Sequence, residues 1–167
     1  MALKISNRFT IAIHMLALAD RLADSDEWVC TSALMASSVN TNPVVIRRIA
    51  GMLKKAGILT VRAGTGGAFP ARDLAAITLL DVYRAVGAVE DMGLFNTHEH
   101  PNPKCPVGAN IQAALADRLH QAQKALEEQL GRTTVAEVVR DIARAIADSD
   151  LPGPGNSKAG KGNDATG

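Results

Sequence analysis

Aromatic residues are scarce in this chain of 167 residues: one Trp, one Tyr and three Phe, 3% of the whole. Leu, Ile, Val, Ala and Met must therefore build any core, and at 47% hydrophobic content there are enough of them. Such a composition leans helical, because Ala and Leu are strong helix formers and strand formers are under-supplied. Cysteine is scarcer still. Cys30 and Cys105 are too few for a disulfide framework, which points to the reducing cytoplasm. No apolar run approaches the ~20 residues of a membrane span, so no membrane partner is expected. The opening MALKISNRFTIAIHMLALADRLADSDE lacks a charged–apolar–small cleavage pattern and reads as an amphipathic helix, not a signal peptide.

One absence carries more information than these. Between Glu27 and Asp73 there is no acidic residue, while Arg47, Arg48, Lys54, Lys55, Arg62 and Arg72 all fall in that stretch. Met1 to Arg72 holds nine Lys/Arg against four Asp/Glu, a net +5; Asp73 to Gly167 holds nine against thirteen, a net −4, and together they make the overall +1. A basic half on a near-neutral chain is the electrostatic footprint of a phosphate-binding surface. A merely solvated face would mix both signs.

The length suits one domain, or one domain with an arm. A first helix is expected from about Ser6 to Leu22, with Phe9, Ile13, Leu16, Ala17 and Leu22 in an apolar stripe and His14 beside it as a packing or surface residue. Trp28-Val29-Cys30 suits a short strand. Thr31 can cap a short helix, Ser32 to Ser38. After Val39-Asn40-Thr41, Asn42 caps and Pro43 opens a second helix, which Gly57 is placed to end. Helix, turn and basic helix is the arrangement that puts a reader in the major groove of DNA. Ile58 to Arg62 is a strand, Ala63-Gly64-Thr65-Gly66-Gly67 a turn, and Ala68-Phe69-Pro70 the returning strand. A hairpin there is a wing, whose side-chain-poor tip allows close approach to a phosphate backbone. It is not a nucleotide-binding loop, since it lacks the Lys-Ser/Thr ending and leads into a strand.

Thr78 and Asp81 form a capping-box variant for a helix ending at Gly87. Ala88 to Gly108 has no periodicity. A long helix from about Ala109 to Leu130 then carries Ile111, Leu115, Leu119, Ala122, Leu126 and Leu130 in steps of four, four, three, four and four. That seam is longer than a small winged domain can cover, which favours a subunit interface over intramolecular packing. Thr134 caps a closing helix to Ile146 with Val138, Val139, Ile142 and Ile146 inward. The reading is thus mainly α with a small β-hairpin wing. Residues 1–87 form a winged helix-turn-helix DNA-binding domain, 88–108 a sensor or effector loop, 109–147 the dimerisation and closing helices, and 148–167 a disordered Gly/Pro/Ser-rich tail.

Several strings in this order resemble the Rrf2 family of bacterial winged helix-turn-helix transcription regulators, the IscR, NsrR and CymR type. They are Lys4, Ser6 and Arg8 in the early helix, Leu53-Lys54-Lys55-Ala56-Gly57-Ile58-Leu59, Val61-Arg62 before the Gly-rich wing, Ile77 to Val86, and Thr133-Thr134-Val135-Ala136-Glu137-Val138. The resemblance covers about residues 1–147. It implies a homodimeric, sequence-specific regulator, read here as a repressor, on a palindromic operator of double-stranded DNA. Thr41, Asn42, Val44, Val45, Arg47 and Arg48 are expected at base edges and nearby phosphates. Arg47 and Arg48 are suited to reading guanine. Lys4, Ser6, Arg8, Lys54, Arg62, Gly64, Thr65, Gly66 and Gly67 are expected on backbone, and Ile111, Leu115, Leu119, Ala122 and Leu126 at the dimer interface.

Many members of the family hold an iron–sulfur cluster through three cysteines before the long helix. This chain departs from that pattern: it has only Cys105 there, and Gly108 three residues on. No cluster and no other cofactor is expected. The string from His98 to Gly108 resembles a cluster-free subgroup that includes thiol sensors. Two signals stay open. Lys104 and the helix N-terminus can lower the Cys105 pKa, so Cys105 and Cys30 are redox candidates; otherwise both simply pack. His98, His100 and Cys105 are weak metal ligands, or else solvated loop residues, and an organic effector is a further alternative. An enzyme is not expected, since a Cys–His pair in one loop lacks an orienting group and an oxyanion hole. A winged-helix interaction module without DNA binding is the remaining alternative, and the acid-free stretch argues against it.

Overall fold

The computed structural model describes residues 7–25, 28–62, 67–88, 95 and 100–149. Its order is α1 (Arg8–Arg21), α2 (Ser32–Val39), α3 (Pro43–Lys55), β1 (Leu59–Val61), β2 (Ala68–Pro70), a 3-10 turn (Leu74–Ala76), α4 (Leu79–Ala85), α5 (Pro106–Arg132) and α6 (Val135–Ala147). The mainly helical, winged helix-turn-helix architecture stands as expected. β1 and β2 pair antiparallel, Leu59 opposite Pro70 and Val61 opposite Ala68.

The core is aliphatic, as the composition requires. Ala12, Met15, Leu16 and Ala19 of α1 meet Met35 of α2, Ile46, Ile49 and Leu53 of α3, and Ile58, Leu59, Ile77, Val82 and Val86. Phe9 adds an edge-on contact to Tyr83, ring centroids 5.6 Å apart. Capping sets the helix starts. Thr31 accepts from the Leu34 amide, Asn42 from Val44 and Thr78 from Asp81. Gly57 and Gly87 take positive φ at the ends of their helices, +68° and +54°.

α6 belongs to the same core. The starts of α4 and α6 lie side by side: Leu79 N donates to Thr133 O and Val135 N to Ile77 O, each at 2.9 Å. Thr78 and Thr134 both carry complete capping boxes, with Asp81 and Glu137. Val135 is fully buried beside them. The rear helices are therefore bolted to the front module through paired helix starts.

Four expectations need correction. α1 begins at Arg8, with Asn7 preceding it, and Ser6 lies outside the described residues. Trp28 to Cys30 is not a strand. From the wing Ala68 N donates to it, at Cys30 O (2.9 Å), and the Thr31 N to Val29 O bond at 2.8 Å bends the segment into the α2 cap. α5 begins at Pro106, so the loop ends at Cys105; Pro106, counted as loop, fits the first helical position because it needs no amide donor there. In α6, Val139 packs on the core but Ile142 is 40% exposed. The helix outruns the surface it rests on, and its apolar face continues past it. Most of 88–100, His98 included, and residues 150–167 of the expected tail lie outside the described residues.

Candidate nucleic-acid interface

α3 divides cleanly into two faces. Ile46, Ile49 and Leu53 are buried, anchoring the helix. Val44, Val45, Arg47, Arg48, Gly51, Lys54 and Lys55 are exposed on the other side, Val44 by 63%. A β-branched apolar residue that open, at the first turn of a basic helix, is suited to an apolar contact such as a thymine methyl. None of the four cations has a salt-bridge partner among the described residues. Arg72, from the same basic stretch, is withdrawn from this surface: it donates to Ala76 O at 3.0 Å and pairs with Asp81 at 3.7 Å.

The turn before α3 is tightly built. Asn40 takes a left-handed φ of 56°, and Thr41 N donates to Ala36 O at 2.9 Å. Asn42 Oδ1 accepts from Val44 N at 2.8 Å, so this expected DNA contact is already used as a cap, while Thr41 is half-buried. His14 Nε2 and Ser38 Oγ, 2.9 Å apart, tie α2 to α1. That brace and Lys55's place on the α3 face were not among the expected contacts. Spacing alone signals Lys55, which is i+4 from Gly51 and i+7 from Arg48.

At the hairpin, Arg62 N donates to Gly67 O at 2.9 Å and its guanidinium stacks over the Phe69 ring, 4.6 Å from the centroid. The cation is thus held at the base of the wing. Gly67 has an internal reason to be glycine. Its φ is +69°, and a Cβ would fall 2.7 Å from Val29 Cγ1. Gly64, Thr65 and Gly66, like Lys4 and Ser6, lie outside the described residues. Arg8 Nη1 donates to Val86 O at 3.4 Å, which ties this residue to the end of α4.

The two cysteines differ sharply. Cys30 is 3% exposed, and burial pushes its thiol up to about 11. Cys105 is exposed at the start of α5. The backbone N–H groups of Gly108 and then Val107 approach its sulfur and hold the thiol below its ordinary value, without reaching full capping geometry. Lys104 has no part in that shift. His100 is exposed, and no group of three or more potential metal ligands occurs among the described residues.

α5 has no buried residue along its 27 positions. It spans about 40 Å at 1.5 Å per residue. Arg84 of α4 holds it through Glu127 at 2.7 Å, a contact that also lowers the Glu127 pKa. Ile111, Leu119 and Leu126 are half-covered, while Leu115 (38%) and Ala122 are exposed. The seam is present, and none of it is buried in the single chain.

A helix-turn-helix with an exposed basic second helix and a following hairpin defines a winged-helix DNA-binding fold. The profile of the Rrf2 family, described as iron-dependent transcriptional regulators, matches residues 5–141. The chain belongs to the Rrf2 family. It is 46% identical over 138 residues to YwnA of Bacillus subtilis (strain 168), named as an HTH-type transcriptional regulator, covering 83% of this chain and 98% of that one. A crystal structure described as a DNA-binding protein is 42% identical, with a TM-score of 0.62, covering 78% of this chain and 97% of the other. Another, described as a transcriptional regulator from Lactobacillus plantarum, gives a TM-score of 0.68 at 26% identity, covering 86% and 99%. The protein is a transcription regulator of this family and not an enzyme. No helix among the described residues is long and apolar enough to cross a membrane.

Iron held as a cysteine-ligated iron–sulfur cluster does not fit the cysteines present. The whole chain has two cysteines, and one of them is buried in the core. A side chain at Gly108, three positions after Cys105, would run into the Asn102 carbonyl. That turn is fixed by Lys104 N to Asn102 Oδ1 at 3.0 Å and Cys105 N to Asn102 O at 3.1 Å. The α5 start thus supplies one thiolate where a cluster needs four ligands.

Proposed function

We propose that this chain is a sequence-specific, cluster-free DNA-binding repressor that works as a homodimer on a palindromic operator. The observation that carries the reading is the outer face of α3: Arg47, Arg48, Lys54 and Lys55 are exposed together without an acidic partner among the described residues, and Arg62 stacks on Phe69 in the wing that follows. Like charges held this close repel one another, and a polyanion relieves that repulsion. Arg47 and Arg48 sit early enough in α3 to reach base edges, and Lys54 and Lys55 late enough to meet phosphates. The uncovered seam of α5, with Ile142 of α6 also exposed, supports pairing with a second copy. A dimer clamped over an operator excludes other proteins from it, which makes repression the proposed outcome. Cys105 is the residue placed to receive a thiol-directed signal; Cys30, buried and protonated, is not.

A gel shift on the protein's own promoter duplex tests this. Arg47→Ala should weaken specific binding by about 1–3 kcal/mol and leave random-sequence binding less affected. Equal loss on both would make Arg47 a phosphate contact. No binding by the wild type to either duplex would end the DNA-binding reading in favour of a protein-interaction module. With oxidant added, the response should vanish in Cys105→Ser and persist in Cys30→Ser.

A further inference from the structure

Gly51 has no reason within its own fold to be glycine. It lies in the interior of α3, where glycine is less favourable than alanine. Its φ is not positive, and a Cβ built on it meets nothing within 4 Å. Gly67 and Gly108 differ, because in both a Cβ would strike a neighbouring segment. At Gly51 the space is open and the helix is weakened for no packing gain.

Its surroundings supply the reason. On a helix surface the neighbours of a residue are those three and four positions away. For Gly51 these are Arg48 and Arg47 on one side and Lys54 and Lys55 on the other. All four are exposed, and none has a salt bridge among the described residues. Gly51 is thus a patch of bare backbone at the centre of four cations. Without a Cβ, the floor of that patch is lower by roughly the 1.5 Å of a carbon–carbon bond.

We infer that Gly51 is where the sugar–phosphate chain of duplex DNA comes into van der Waals contact with the α3 backbone, seating a phosphate against Lys54 and Lys55 while Arg47 and Arg48 reach past it to base edges. The inference rests on the DNA-binding reading above and adds a residue to it that carries neither charge nor hydrogen-bonding side chain. The helix gives up local stability so that the duplex can approach closely enough for the two lysines to meet its phosphate and the two arginines to reach its bases.

Gly51→Ala separates the two demands because it moves stability and affinity in opposite directions. Thermal unfolding should rise by about 2–4 °C, since alanine is the better helix former. Affinity for a random-sequence duplex of about three helical turns should fall, by roughly five- to tenfold, because the methyl intrudes on a filled contact. Gly51→Leu should lose more, with a circular dichroism spectrum like that of the wild type. A raised melting temperature with unchanged affinity in Gly51→Ala would overturn the inference and leave Gly51 a tolerated helix defect. A wild type that binds no duplex at low salt would instead overturn the DNA reading on which it rests.

Discussion

Replacing Lys54 with alanine removes one exposed cation per protomer, and so two from a dimer. The side chain is exposed and has no ion pair among the described residues, so its loss should change folding stability by less than about 0.5 kcal/mol. Its effect on DNA binding should be larger and of a particular form. Each phosphate neutralised releases counterions and adds about −0.9 to the slope of log K against log salt. If Lys54 and Lys55 both meet phosphates in both protomers, they contribute about −3.6 to the parent slope. Lys54→Ala should make it shallower by about 1.8, and by a similar amount on promoter and random duplexes. Fluorescence anisotropy from about 50 to 200 mM salt spans the range in which such a slope is measurable. An unchanged slope, in a variant that still binds and melts like the parent, would refute the placement of Lys54 on a phosphate.

Three further outcomes follow from the geometry. Tyr83 is buried and its hydroxyl has no hydrogen-bond partner among the described residues. Tyr83→Phe should therefore be neutral or stabilising by up to about 1 kcal/mol in denaturant unfolding, and a loss above that would reveal a partner for the phenol. Leu53 is fully buried on the inner face of α3, so Leu53→Ala should cost about 2–5 kcal/mol in the same assay. Iodoacetamide labels the thiolate, whose fraction rises with pH. Cys105, its pKa lowered by the α5 amides, should react with a midpoint below the ordinary thiol value, while Cys30, near 11 and buried, should react only as the chain unfolds. Equal rates for the two thiols at neutral pH would contradict both placements.

Local rules made most of the helix starts legible. Asn42-Pro43, Thr31, Thr78 with Asp81, and Thr134 with Glu137 announce helix starts through side-chain caps that depend on neighbours a few residues away. The failures came where a distant partner decides. Trp28 to Cys30 has strand-like residues, but whether it becomes a strand depends on a second ladder bond that the Thr31 turn prevents. Pro106 reads as loop among its neighbouring prolines, yet the Asn102 turn makes it the first residue of a helix. Charge patterning picked out the basic face of α3, though not that Arg72 turns away to Asp81. Gly51 stayed hidden because its meaning depends on the four cations that only the helix brings around it.

Sedimentation of the purified protein, alone and on its own promoter duplex, tests the central claim: two basic modules held at a fixed separation by paired α5 helices. The account predicts a dimer in free solution and two chains per duplex, with Leu119→Asp monomeric and unable to hold the promoter. A stable wild-type monomer that binds the duplex one chain at a time, with affinity unaffected by Leu119→Asp, would contradict it.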